Sequence, residues 1–404
     1  MCAHREGKLA RLPQKDSGDE VGISDERAES LSDAARNEGE IVEDGDYAEV
    51  RASFVEMGRE SANQMIIDSY VIADPERPED VLEAHNPAHT DGVVERGVVT
   101  KPENKEAGQK GILDVVLDRA TGFTDEQKQY IKDTYVIIAS HHDVVQDWHE
   151  MPKWFDGGTQ RQREGGREEG KNEWASAEAA IGYMKSANKE VGFELFDPGD
   201  DDEKPFGYVH RIMDATVPGW DGKTVVQPHL LEEIKQAAEN DKENPPTQSE
   251  KAIRLLMVTL ALADLGEAGM AGTDVFKDSG NRNFREEKLN VQRAINEAGS
   301  IVAIPEAQRE IIIKQILMWT GDLDKQNGQI SFAMGQRDNL ENILSFIPDD
   351  ETMQGTRDAV KALFNKFDES IQGAIDEARA RQSMSFEELM DRVGYQDPVN
   401  SNTE

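Results

Sequence analysis

Three features of the sequence carry side chains that could do chemistry together. His85 and His89 stand four residues apart, a His142-Asp143 doublet closes an apolar run, and Asp264 lies inside the most apolar stretch of the chain, 252–265. At helical spacing the first pair shares one face. A carboxylate flanked by Leu260, Ala261, Leu262, Ala263 and Leu265 costs several kcal/mol to bury alone, so it must meet a cation, a donor or water. Imidazoles and carboxylates together make a mixed nitrogen and oxygen donor set. Such a set suits a borderline divalent transition metal (Mn, Fe, Zn or Co, with Mg as a further candidate) better than Ca. Four protein ligands leave positions open for water and a phosphate oxygen, the requirement of a catalytic metal. Each feature also has a plainer reading: a solvated helix face for the histidine pair, a chance dipeptide for the doublet, and a helix-end aspartate before Gly266.

Helices must position these groups. The residues Val50, Phe54, Met57, Ala62 and Met65 recur at helical spacing up to the Ala73-Asp74-Pro75 break. A second helix is expected after Pro78, carrying Val81, Leu82, His85, His89, Val93 and Val94. A third is expected from Thr124, whose Thr-Asp-Glu-Gln is a capping-box pattern, through the apolar run 135–139 into the doublet. Asn172 is expected to cap another helix. The run 252–265 reads as a central buried helix, Pro305 opens one more, and 332–367 keeps a period near 3.6. No series of alternating strands is found, so the expected class is all-α.

Composition bounds the rest. The chain has 404 residues, of which 37% are hydrophobic, so part of its length should lie outside a core. Residues 1–46, rich in Glu, Asp, Ser and Gly, read as a disordered acidic tail; 47–280 would form the globular domain and 281–404 a C-terminal helical region packed on or beside it. With 81 acidic and 45 basic residues, the formal charge of −36 argues against duplex nucleic acid as a partner. A small phosphorylated substrate stays compatible, because a bound cation outweighs a diffuse field inside a cleft. The single cysteine, Cys2, offers neither a disulfide nor a thiolate site. No apolar stretch reaches about 18 residues, and the first twenty residues lack a signal-peptide core. The expectation is a cytoplasmic protein with no membrane contact; its oligomeric state is not readable.

These pieces resemble the HD superfamily of metal-dependent phosphohydrolases, whose pattern is a histidine, a His-Asp doublet and a distant aspartate on separate helices. His89 matches the first histidine, His142 and Asp143 the doublet, and Asp264 the last aspartate. The run His85-Asn86-Pro87-Ala88-His89-Thr90 with Val93-Val94 is similar to that of bacterial predicted HD phosphohydrolases, as are Asn172-Glu173 with Ser176-Ala177, the segment 212–216, and Ala263-Asp264-Leu265-Gly266. The resemblance covers about residues 81–269. It departs from the pattern at His141, which leaves a one-position choice of ligand, and in polar insertions that lengthen the gap before Asp264.

What the resemblance implies is an HD-like helical core that hydrolyses a phosphate monoester or diester of a small nucleotide-like substrate. Asp143 would orient or deprotonate the attacking water as well as bind metal, and His85 would act as general acid for the leaving oxygen. Glu173 would hydrogen-bond a ligand imidazole, or else be an ordinary first-turn acid. Arg161, Arg163, Arg167 and Lys171, in a glycine-rich loop read as mobile, would close over a phosphate, though interleaved Glu164, Glu168 and Glu169 favour a plain solvated loop. Two alternatives stand beside this reading. One is a catalytically inactive HD-like scaffold that binds a nucleotide or a protein partner. The other is a metalloprotease, which the absence of His-Glu-x-x-His disfavours.

Overall fold

A computed structural model describes residues 44–73, 87–144, 148–150, 161–163, 171–198, 207–220, 225–265, 272–321 and 328–397. The expected acidic tail up to residue 43, the helix start after Pro78, His85 and Arg167 lie outside these residues.

The described chain is all-α. Helix α1 (Asp44–Ala73) is followed by α2 (Pro87–Gly97), α3 (Pro102–Glu106), α4 (Ile112–Arg119), α5 (Asp125–His141), α6 (Lys171–Val191) and α7 (Tyr208–Asp214). Next come α8 (Pro228–Asn240), α9 (Gln248–Leu265), α10 (Thr273–Glu287), α11 (Leu289–Ala298), α12 (Glu306–Thr320) and α13 (Gly328–Asp338). The last are α14 (Leu340–Phe346), α15 (Gln354–Arg381) and α16 (Phe386–Val393). Two short antiparallel ladders interrupt them, β1 (Trp148–Glu150) with β2 (Arg161–Arg163), and β3 (Gly219–Trp220) with β4 (Val225–Val226). Within the expected loop over 151–171, residues 161–163 pair with 148–150 instead, and the rest of that stretch up to residue 170 lies outside the described residues. Lys171 belongs to α6, so that helix starts one residue before the expected cap, Asn172.

Helices α5 and α9 form the centre. Thr124 caps α5 reciprocally with Gln127: the Gln127 backbone N–H donates to Thr124 Oγ1 at 3.2 Å, and the Thr124 N–H donates to Gln127 Oε1 at 2.9 Å. From residue 133 to 142 every position is buried, and so is every position from 254 to 263 in α9. Helices wrapped on all sides lack a polar stripe, and the two runs are apolar over 135–139, 255–258 and 260–263. Helices α1, α2 and α6 pack on α5, while α2, α4 and α7 pack on α9. Gly58 permits the tight crossing of α1, since a Cβ there would stand 2.6 Å from Ile137 Cδ1 and 2.9 Å from the Tyr183 ring. Arg211 of α7 bridges Glu233 of α8 and Glu250 of α9 at 2.8 and 3.0 Å.

This main apolar core extends beyond the first nine helices. Ile343, Leu344 and Phe346 of α14, with Ala359, Val360, Phe364 and Phe367 of α15, belong to it. A second apolar cluster joins α10, α11, α12 and α16 through Phe284, Val291, Ile295, Ile316, Leu389 and Met390. The far half of α15 contacts α10 and α13 through Ala374 and Ala378, against Phe276, Ile330 and Ala333. The 28-residue α15 therefore runs from the main core to this third apolar cluster. Among the described residues no helix is long and apolar enough to cross a membrane.

Candidate metal centre

The chemistry-bearing residues lie at helix ends. His89 is in the first turn of α2, which opens on Pro87, a residue suited to that position because its missing N–H would have had no intrahelical acceptor. His142 is the C-cap of α5, and Asp143 follows it. Asp264 is the penultimate residue of α9.

Tertiary contacts fix these ends relative to one another. The Tyr135 hydroxyl of α5 donates to the Val93 carbonyl of α2 at 2.9 Å. Gly97 lets the two helices meet, because a Cβ there would fall 2.1 Å from the Tyr135 ring. Arg59 of α1 donates to Asp91 at 2.8 Å and to Thr100 at 2.9 Å, holding α2 from the other side. Arg96 Nε donates to the Ala263 carbonyl at 2.6 Å, tying α2 to the end of α9.

One ligand atom from each of His89, His142, Asp143 and Asp264 lies within 4.8 Å of all the others. His89 Nε2 is 3.3 Å from Asp143 Oδ2 and 3.5 Å from Asp264 Oδ1. His142 Nε2 stands 3.4 and 3.6 Å from the same two oxygens. The four residues sequence reasoning singled out thus converge from three segments of chain separated by up to 175 positions. The His142 side chain is only 1% exposed, but those of His89, Asp143 and Asp264 keep 13%, 15% and 16%. Solvent therefore reaches one side of the cluster.

Its chemistry fits a cation. His142 Nδ1 lies 2.6 Å from the Ala139 carbonyl, an arrangement in which Nδ1–H donates and the Nε2 lone pair faces the carboxylates. That Nε2 is buried and has no hydrogen-bond partner. The C-terminal ends of α5 and α9, each carrying partial negative charge, meet here beside two carboxylates, which deepens the attraction for positive charge. Without a metal, protons supply it. Burial opposes protonation of His89, yet the flanking Asp143 and Asp264 carboxylates push its pKa up to about 9. His142 is raised as well, against the same burial, by Asp143 and Asp264. Burial would lift Asp264, but His142 and His89 hold it well below the usual carboxylate range.

The neighbouring histidine is excluded from the cluster. His141 is fully buried, with Nδ1 donating to the Ile137 carbonyl at 2.8 Å and its ring 5.7 Å from that of Tyr183. Burial depresses its pKa to about 4, so it stays neutral in the core. The one-position choice left open by the sequence falls on His142.

The remaining expected site residues fall on other elements. Glu173 sits buried in the first turn of α6, close enough to Asp214 for its charge to help raise that carboxyl, whose pKa is lifted chiefly by burial. Arg161 and Arg163 lie in β2, and Lys171 is the first residue of α6. Sequence reasoning missed Arg96 and Tyr135, which brace the cluster without belonging to it; the placement of Arg96 seven residues from His89, on the same helix face, was the available signal. It also missed the half-exposed Trp174, whose ring stacks on His210 at 4.1 Å while His210 Nε2 meets Glu178 at 2.9 Å.

No protein-family model, no curated protein and no solved structure matches this chain.

Proposed function

We propose that this protein is a metal-dependent phosphohydrolase with an HD-like helical core, acting on a phosphate monoester or diester of a small nucleotide-like molecule. The observation that carries the reading is the convergence of His89, His142, Asp143 and Asp264 within 4.8 Å, with the His142 Nε2 lone pair turned into the group. These four residues would hold the ion. Two imidazoles and two carboxylates suit Mn, Fe, Zn or Co, with Mg as an oxygen-preferring alternative. A bound ion there would supply Lewis acidity toward a phosphoryl oxygen and toward water.

The chain's own residues supply the rest. Asp143, partly exposed at the open side, is placed to accept a proton from attacking water and to orient it. His142, fixed in one tautomer by the Ala139 carbonyl, keeps its donor atom pointed into the site. The proton donor for the leaving oxygen is assigned to His85 on sequence grounds, four residues before His89 in the chain. A bound ion would offset the two carboxylates and let an anionic substrate approach a chain of formal charge −36.

The test is metal analysis of the purified protein followed by assays with an aryl phosphate and a bis-aryl phosphodiester. Stoichiometric transition metal and turnover that disappears in His142→Ala are expected. Absence of metal binding in the unaltered protein would overturn the proposal. Metal binding without turnover of either ester would favour the non-catalytic scaffold instead.

A further inference from the structure

We infer that Arg96 is a positioning residue for the metal centre: it grips the end of α9 and thereby sets where Asp264 stands. This rests on the metal-binding reading of the cluster.

Asp264 is the residue most exposed to positional error, because α9 ends one residue later at Leu265. The last four carbonyls of a helix have no intrahelical donor, and terminal turns fray unless something outside supplies one. Arg96 Nε supplies it to Ala263, at 2.6 Å and across 167 positions of sequence. The Ala263 carbonyl belongs to the peptide group joined directly to the Asp264 Cα. A hydrogen bond on that peptide plane restrains the backbone orientation from which the Asp264 side chain departs. Two residues earlier, Gln227 Nε2 donates to the Ala261 carbonyl at 3.2 Å, so the end of the helix is held at two points.

The origin of the clamp matters as much as its target. Arg96 and His89 are seven residues apart on α2, which puts them on one face about 10 Å apart along the axis. A single rigid helix thus carries one imidazole of the site and also the donor that fixes the helix bearing the opposing carboxylate. The spacing of 3.5 Å between His89 Nε2 and Asp264 Oδ1 is set through one body and one hydrogen bond. Tyr135 does the corresponding work for α5, seven residues before His142, through the Val93 carbonyl of the same α2. Guanidinium also suits the place electrostatically, since its charge opposes the negative end of α9. Its planar N–H donor is less adaptable than an ammonium but better preorganised.

Ordinary helix capping would stabilise the fold without acting on the ion, so the experiment must separate the two. Cobalt(II) is titrated into the full-length protein, Arg96→Gln, Asp264→Asn and the double variant, with affinity and visible absorption as readouts. Losing an outer partner of a metal ligand typically weakens binding about 10- to 100-fold, and that loss is expected for Arg96→Gln. On the Asp264→Asn background the same change is expected to cost no more than about 2-fold, because the clamp then has nothing to position. The absorption bands of Arg96→Gln should move toward those of Asp264→Asn. Arg96→Lys, whose cationic donor sits on a longer side chain than the Gln amide, should recover most of the affinity. Should Arg96→Gln fail to fold, Arg96→Lys in the two backgrounds carries the same comparison. Additive losses, or unchanged cobalt affinity in Arg96→Gln, would overturn the role of Arg96 and leave the metal centre standing. No cobalt binding by the unaltered protein would remove both.

Discussion

Two buried charged clusters in this molecule look alike by composition and differ in what they leave unfinished. In the C-terminal layer, Glu377 of α15 receives Arg392 through two bonds of 2.7 Å and Arg381 through one of 3.0 Å. Arg381 also donates to Thr320 and Asn281, both at 2.9 Å. Planar guanidinium forks match carboxylate geometry, so both Glu377 oxygens are met and the cluster closes on itself. In the four-residue centre the imidazoles and carboxylates stop at 3.3 to 3.6 Å, and His142 Nε2 has no hydrogen-bond partner. A buried polar atom without a partner costs roughly 1–3 kcal/mol, and a fold that tolerates it at a solvent-reachable cluster retains capacity for a guest. The first arrangement is a lock; the second is a receptacle.

Mutations should pull the two apart. The largest effect is expected from Glu377→Ala, which strands the 3%-exposed Arg381 without its carboxylate. Breaking a buried pair in this way costs about 3–5 kcal/mol. Chemical denaturation should report that loss, while metal affinity stays unchanged. His142→Ala should do the reverse, weakening metal binding beyond the roughly 100-fold that losing a mere outer partner costs. Isothermal titration would read it, and a melting temperature that no longer rises with added metal would confirm it.

Acid sharpens the contrast further. Bonds from Arg392 and Arg381 outweigh burial and hold the Glu377 pKa down to about 2, against an ordinary value of 4.5. A carboxylate depressed in the folded state contributes stability that is complete above its unfolded pKa and disappears as pH falls through its folded one. The window therefore runs from 4.5 down to about 2. After allowance for solvent screening the loss is about 1–2 kcal/mol. Hydrogen exchange in α15 and α16 should accelerate across that window, and Glu377→Gln should flatten the dependence. The smallest effect is expected for Tyr135→Phe, which removes the bond to Val93 and should cost about 1 kcal/mol in stability. A cost above about 3 kcal/mol would mean that the hydroxyl does more than brace α2.

The centre was legible in the sequence because its chemistry is written in residue types. Asp264 stood out as a charge in an apolar run, and the doublet as two donors at the end of another. Thr124 and its partner Gln127 announced the start of α5 for a local reason, and the all-α class followed from periodicity. What could not be read were the relations between distant segments. Nothing near Gly97 in sequence says that Tyr135 will need its missing side chain, and nothing near Arg96 points to Ala263. His141 and His142 are equivalent on paper; only the packing of α5 against α6 turns one ring into the core and the other into the cluster. Residues 161–163 escaped notice for a related reason, since their composition is that of a loop while their backbone finds a partner in Trp148–Glu150.

The long helix α15 has a consequence for how the protein is made. All four residues of the centre have been synthesised once the chain reaches position 264, yet the apolar core around them also needs Val360, Phe364 and Phe367. Thr356 donates to the Val116 carbonyl across 240 positions, so α4 is completed by a segment made long after it. Closing so large a loop is slow, and the nascent chain must shelter an unfinished interior for most of its synthesis. A chain released at residue 347 would carry every donor atom and still expose the face of α4 that α15 covers. Such a product should bind the dye ANS and aggregate, whereas the intact chain should not.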